Sequence, residues 1–268
     1  MAGTTIRRAF AELGDGQVHY AQCGPDDAEV VLLLHQTPRS WAEYRSVLPI
    51  LGQRYRAIAM DTIGFGDSAR PAWPGSIERW AAGAVELLDA LRVARAHVVG
   101  HHTGGVIAIE LAAAHPQRVG RLVLSSTPFT DAAFRRARAQ RPPIDEVARS
   151  ADGAHLGALW RNRQPFYPAD RPDLLEAFVI DALKVVDRVE DGHRAVADYH
   201  METRIARVAQ PALVIRATAD PFASPHAAEL CARLPDARLA DIEGGMVPLP
   251  EQMPQAFAMA VLDFLAGA

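Results

Sequence analysis

His97-Val98-Val99-Gly100-His101-His102-Thr103-Gly104-Gly105-Val106 reads as an apolar strand that runs into a glycine-lined turn and emerges as a helix. Gly100 and Gly104 free space where a sharp turn presses on its neighbours. The side chain between them, His102, is lifted to the carboxyl end of a strand, which is where open parallel sheets carry their reactive groups. Outward from this stretch, strand-like runs recur at Val18 to Gln22, Val30 to Leu34, Ala57 to Met60, Leu122 to Leu124, Ala212 to Ile215 and Arg238 to Ile242. Helical patterns at Trp41 to Leu51, Ile77 to Leu91, Gly105 to His115, Ala227 to Leu234 and Pro254 to Leu265 alternate with them. That alternation predicts an α/β protein with a mostly parallel sheet, because parallel strands need crossovers and then become near-continuous apolar runs covered on both faces.

Between about Asp131 and Arg207 the pattern changes. Helical stretches follow one another, punctuated by Pro142, Pro143, Pro165, Pro168 and Pro172, with no convincing strand. The expected organisation is a core of residues 1–130 and 208–268 and an inserted helical cap of residues 131–207. A chain of 268 residues with 49% hydrophobic and 22% charged content has ample material for one core of this size.

Composition also excludes partners. A net charge of −4, with arginines spread along the chain, offers no basic face to a phosphate backbone, so nucleic acid is not expected. Of the 28 basic side chains only Lys184 is a lysine, from which no function follows. Apolar runs such as Val30 to Leu34 fall far short of the roughly 20 residues that span a bilayer, and Met1 to Phe10 carries no apolar stretch behind its arginines. The expectation is a cytoplasmic monomer or homodimer with no membrane partner. Cys23 and Cys231 are read as reduced thiols, and no histidine spacing suggests a metal.

The quoted stretch resembles the nucleophile elbow of the α/β-hydrolase fold, G-x-S-x-G, with His102 in the middle position. Other landmarks follow in family order, so the resemblance covers nearly the whole chain. His35-Gln36-Thr37-Pro38 is similar to the H-G-x-P turn, and Asp61-Thr62-Ile63-Gly64-Phe65-Gly66-Asp67-Ser68 matches the D-x-x-G-x-G-x-S loop. Asp220 stands where the triad acid belongs, and Gly244-Gly245-Met246 to Glu251 is similar to G-G-H-x-x-x-x-E, with Met246 in place of the histidine. The resemblance implies an α/β-hydrolase fold: an eight-stranded, mostly parallel sheet flanked by helices, with a helical cap after the sixth strand. It also implies that the triad has lost its serine and its imidazole. Haloalkane dehalogenases and epoxide hydrolases use an aspartate at the elbow, and none is here.

Losing the triad leaves roughly the 10³- to 10⁴-fold acceleration that an oxyanion hole and binding supply. His102, longer than serine, is expected to reach Asp220 and form a His–Asp dyad, since a carboxylate orients one ring nitrogen and leaves the other to exchange a proton with substrate. The backbone N–H groups of Gln36 and Thr103 are the candidate oxyanion hole. His35, Phe129, Trp160, Tyr167, Phe178, Phe222 and Met246 are the candidate lining of an apolar, partly aromatic pocket. The leading expectation is a cofactor-free enzyme doing non-hydrolytic acid–base chemistry, such as Michael- or aldol-type C–C bond formation or cyclisation, on an aromatic or polyketide-like specialised metabolite. Two alternatives stay open: a hydrolase of an ester, lactone or epoxide that uses His102, and an inactive ligand-binding protein of the same fold.

Overall fold

The computed structural model describes residues 5–72 and 74–267. Eight strands, β1 (Arg7–Leu13), β2 (Gly16–Cys23), β3 (Val30–Leu34), β4 (Arg56–Met60), β5 (Ala96–His101), β6 (Val119–Ser125), β7 (Ala212–Ala217) and β8 (Ala237–Ile242), form one sheet in the order β1-β2-β4-β3-β5-β6-β7-β8. β1 and β2 form an antiparallel hairpin, β2 pairs antiparallel with β4, and every other pairing is parallel. The helices are α1 (Leu48–Leu51), α2 (Ile77–Ala90), α3 (Thr103–Ala114), α4 (Ala132–Ala139), α5 (Ala154–Arg163), α6 (Pro172–Lys184), α7 (Asp191–Asp198), α8 (Ala227–Arg233), α9 (Leu249–Gln252) and α10 (Pro254–Leu265). Four of them, α4 to α7, follow β6 without an intervening strand and make the helical cap.

Both faces of the sheet are covered. Along β3, Leu32 and Leu34 join one core with Val98, Ile58 and helix α3, while Val31 and Leu33 join the other with Val99 and helix α10. Period-two alternation splits each strand between two cores, so the strands read as continuous apolar runs. Helix α3 is buried from Thr103 to Ala113, and fully burying Ile107 or Leu111 stabilises by about 1.5–3 kcal/mol each.

The structure departs from the sequence reading in two elements. β1 carries six residues that are exposed or partly so, two of them arginines at its start, so it lacks the apolar run of a central strand. The span Trp41 to Leu51 is not one helix but a 3₁₀ turn at Trp41–Tyr44 followed by α1. Pro49 lies in the first turn of α1, where its ring and missing N–H prevent continuation from the preceding turn.

Two ion-pair systems tie α6 of the cap to the core. Arg39, in the loop after β3, has a side chain with no solvent exposure; it donates to Asp181 of α6 (3.1 Å) and makes a two-pronged contact with Glu251 of α9, one prong at 2.8 Å. Ser40 adds a hydroxyl to the same Asp181 at 2.9 Å. Nearer the surface, Lys184 at the end of α6 meets Asp67 of the core loop at 2.9 Å.

Among the described residues no helix is long and apolar enough to cross a membrane. Residues 1–4 of the Met1 to Phe10 stretch lie outside the described residues.

Candidate functional site

Strand β5 ends at His101 in register with Ser125 of β6, and the chain then turns sharply into α3. His102 occupies that turn with φ 48° and ψ −114°, a conformation costing of order 1–3 kcal/mol for a residue with a Cβ. The turn persists because its surroundings leave no room to relax. A Cβ on Gly104 would lie 1.9 Å from the Leu34 carbonyl oxygen, and one on Gly100 would lie 2.2 Å from that of Gly104. The His102 N–H is fixed by the Ser125 carbonyl at 3.0 Å.

Asp220, in the loop after β7, is fully buried, and its Oδ2 lies 2.8 Å from His102 Nε2. The expected His–Asp contact is therefore present. The oxygen sits off the ring N–H direction, so the contact is a close electrostatic pair rather than an aligned hydrogen bond. Oδ1 of Asp220 accepts the N–H groups of Phe222 (2.9 Å) and Ala223 (3.3 Å). Burial alone would raise the Asp220 pKa, but the neighbouring His102 and the Phe222 N–H outweigh it and bring the carboxyl down to about 2. The other ring nitrogen of His102, Nδ1, has no protein partner among the described residues, and the side chain retains 14% exposure, in the cleft above.

His101 is structural. Its Nε2–H donates to the Val247 carbonyl at 2.8 Å and its Nδ1 accepts from the Ser125 hydroxyl at 3.0 Å, while burial and then His102 push its pKa down to about 3. His101 stays neutral and packs edge-on against His102 at 4.7 Å between ring centroids.

Gln36 is corrected as an oxyanion donor. Its backbone N–H is committed to Glu43 Oε2 (3.0 Å) and its side-chain amide to Oε1 (2.6 Å), although Gln36 does border the cleft. The next residue supplies the free donor. Among the described residues the N–H groups of Thr37 and Thr103 donate to nothing, both residues line the cleft beside His102, and their hydroxyls bond each other at 2.9 Å. The sequence signal was available in the x position of the H-G-x-P-like turn.

Glu43 itself titrates unusually. Burial pushes its pKa from 4.5 up to about 8; Arg39 and the Gln36 donors oppose the shift and Glu251 adds to it. Below about pH 4.5 the folded and unfolded states are both protonated here. Between 4.5 and 8 the unfolded chain ionises first, so this group's contribution to stability falls as pH rises. The expected result is that the unfolding free energy of wild type minus that of Glu43→Gln declines from pH 5 to pH 8 in urea titrations. A flat difference overturns the assignment.

The cleft encloses about 930 Å³ between cap and core. Of the expected lining, Phe129 and Phe222 face it, and Phe222 packs against Phe166 of the cap with the rings tilted by 59° at 4.6 Å between centroids. His35 does not: it is fully buried, donating from Nδ1 to the Gln36 carbonyl (2.7 Å) and accepting the Thr62 N–H at Nε2 (3.0 Å), with its pKa lowered by burial. Trp160, Tyr167 and Phe178 pack inside the cap, where their helical spacing made core the competing role; Phe178 carries the Arg163 guanidinium on its face at 5.1 Å. Met246 is half-buried and outside the lining, its N–H bonded to Gln252 at 2.7 Å. The cap instead presents polar groups that no local pattern announced, among them Arg163 and His193.

A strand-to-helix elbow at the carboxyl edge of an eight-stranded, mostly parallel sheet, under a helical cap, defines a class, and the chain belongs to it: the alpha/beta hydrolase fold family matches residues 29–246. The chain is 29% identical over 265 residues to RutD from Caulobacter sp. (strain K31), a protein named for carbamate hydrolysis, covering 94% of this chain and 97% of that one. It is 48% identical over 154 residues to the 2-hydroxymuconate semialdehyde hydrolase of Pseudomonas sp. (strain CF600), a segment covering 57% of this chain and 47% of that one. Among solved structures, a hydrolase from Pseudomonas aeruginosa PA01 superposes with a TM-score of 0.80 at 26% identity, covering 97% and 98% of the two chains. The chain is thus one of a family of enzymes. These relatives overturn the expectation of non-hydrolytic C–C bond-forming chemistry: all three are named as hydrolases, and two of them are similar over nearly the whole chain.

Proposed function

We propose that the protein hydrolyses a small ester or lactone, with His102 as general base toward water in place of a serine nucleophile. In this reading the triad is rewritten: His102 fills the elbow, Asp220 keeps the role of the acid, and Met246 leaves the usual imidazole position without a base. Residues 131–207 act as the cap over the remaining core. The observation that carries the proposal is the pairing of His102 with buried Asp220 at 2.8 Å, next to two unengaged backbone donors, in a cleft large enough for a small molecule.

The chemistry follows from that arrangement. Nδ1 of His102 takes a proton from water as the water oxygen attacks the acyl carbon, and Asp220 balances the imidazolium charge that forms. The carbonyl oxygen, now negative, lies against the Thr37 and Thr103 N–H groups, donors of a kind worth roughly 3 kcal/mol each when charge develops beside them. Collapse of the intermediate expels the alcohol, which takes up a proton. The hydrolase names of the relatives support bond breaking by water; carbamate and semialdehyde substrates are properties of those proteins.

The test is a panel of small esters and lactones hydrolysed in ¹⁸O-water, with intact-protein mass spectrometry during turnover. The expected result is one labelled oxygen in the acid product and no acyl adduct on the protein. An adduct on His102 replaces the base by a nucleophile, and absence of hydrolysis across the panel overturns the proposal.

A further inference from the structure

A second His–Asp pair borders the same cleft from the cap. His193, on α7, places Nε2 at 2.9 Å from Oδ2 of Asp145, which is fully buried. Arg163 grips that carboxylate through two nitrogens, with Nε to Oδ1 at 2.7 Å, and the Asp145 N–H is held by Glu190. Neither carboxylate oxygen is left to choose another partner, so Asp145 is fixed in place behind the imidazole. Nδ1 of His193 has no protein partner among the described residues, and the side chain is 16% exposed, in the cleft. As at His102 and Asp220, Nε2 sits on a buried aspartate and Nδ1 is open to the cleft; here Arg163 Nη2 also lies 3.1 Å from Nε2, a cation that the core pair lacks.

The packing brings the two pairs into one neighbourhood. A Cβ on Gly192, the residue before His193, would lie 1.8 Å from the Thr37 hydroxyl, so only a glycine lets α7 press this closely on the oxyanion turn. Thr37 in turn bonds Thr103, the residue after His102. The run His193, Gly192, Thr37, Thr103, His102 is continuous contact from cap dyad to core dyad.

We propose that His193 is a second catalytic acid–base group, the proton donor to the departing oxygen of the substrate. This rests on the hydrolytic reading above. Water adds to the acyl carbon and gives its proton to His102. The bond from acyl carbon to leaving oxygen breaks, and that oxygen takes the Nδ1 proton of the His193 imidazolium, whose charge Asp145 balances. His102 then releases its proton to solvent and His193 regains one, so one water is consumed and one acid and one alcohol are formed. Burial works against ionisation of Asp145, yet Arg163 and His193 hold its carboxyl well below the usual range, so the counter-charge is in place.

The test is the dependence on leaving group. Wild type, His193→Gln and Asp145→Asn are assayed on an activated aryl ester, whose phenolate departs unprotonated, and on the alkyl ester of the same acid. The expected result for His193→Gln is a kcat loss of roughly 100-fold on the alkyl ester with little change on the aryl ester. Asp145→Asn, as a positioning change, follows the same split more weakly, and circular dichroism checks that each variant is folded. Equal loss on both esters, or none on either, overturns the role of His193. His102→Ala separates the two readings, because failure of the hydrolytic base removes activity toward both esters.

Discussion

His102→Ala is expected to lower kcat/KM for ester or lactone hydrolysis by roughly 10²- to 10⁴-fold, the range associated with removing a positioned general base. The loss belongs in kcat, because the imidazole is one of several groups around a cleft of about 930 Å³ and contributes little of the binding surface. Truncation leaves the elbow backbone, the Thr37 and Thr103 donors and Asp220 in place, so the residual rate measures what those alone supply. The vacated space lies open to the cleft and next to a carboxylate. Added imidazole is therefore expected to restore part of the rate, saturating with its concentration. His102→Ser is expected to remain as slow as His102→Ala, because no imidazole stands ready to deprotonate a hydroxyl there. Retention of more than about a tenth of wild-type activity by the alanine variant would contradict a base at this position.

The largest effect on stability is expected at Arg39. Arg39→Met removes a fully buried guanidinium that faces Asp181, 5% exposed, and Glu251, 13% exposed. Glu251 would lose its close counter-ion and Asp181 would keep only Lys184, at 3.9 Å, in a low-dielectric seam, a change that costs about 3–5 kcal/mol. Methionine fills much of the same volume, so the loss reports charge rather than a void. The unfolding free energy from urea titration checks the value, and a loss under about 1 kcal/mol shows that water reaches the seam. Combining Arg39→Met with Asp181→Asn and Glu251→Gln is expected to recover part of the stability, because the orphaned charges leave with their partner.

Local chemistry made much of the fold legible. Strands β2 to β7 and helices α2, α3, α8 and α10 announce themselves because each buries an apolar run or stripe, whereas β1 and β8, largely exposed strands at the two edges of the sheet, carry no such buried run. His102 and Asp220 were readable from short motifs at strand ends, and the parallel sheet brings those ends together. The oxyanion turn was readable only to within one residue: whether Gln36 or Thr37 offers a free N–H depends on Glu43, seven residues onward, turning its carboxylate back onto the turn. In the cap, Asp145, Arg163 and His193 lie on separate segments of a proline-punctuated stretch, and no periodicity links them. The aromatic residues there gave the opposite difficulty, since Trp160, Tyr167 and Phe178 have the spacing of core and do pack as core.

Lys184 is the chain's sole lysine and is 34% exposed where α6 meets the core loop at Asp67. The protein thus carries, unmodified, one side-chain amine at the seam between its two layers. A polarity-sensitive fluorophore coupled there by amine chemistry displaces the ammonium from Asp67 and sits astride the joint. Its emission reports on the opening of that joint without the introduction of a cysteine.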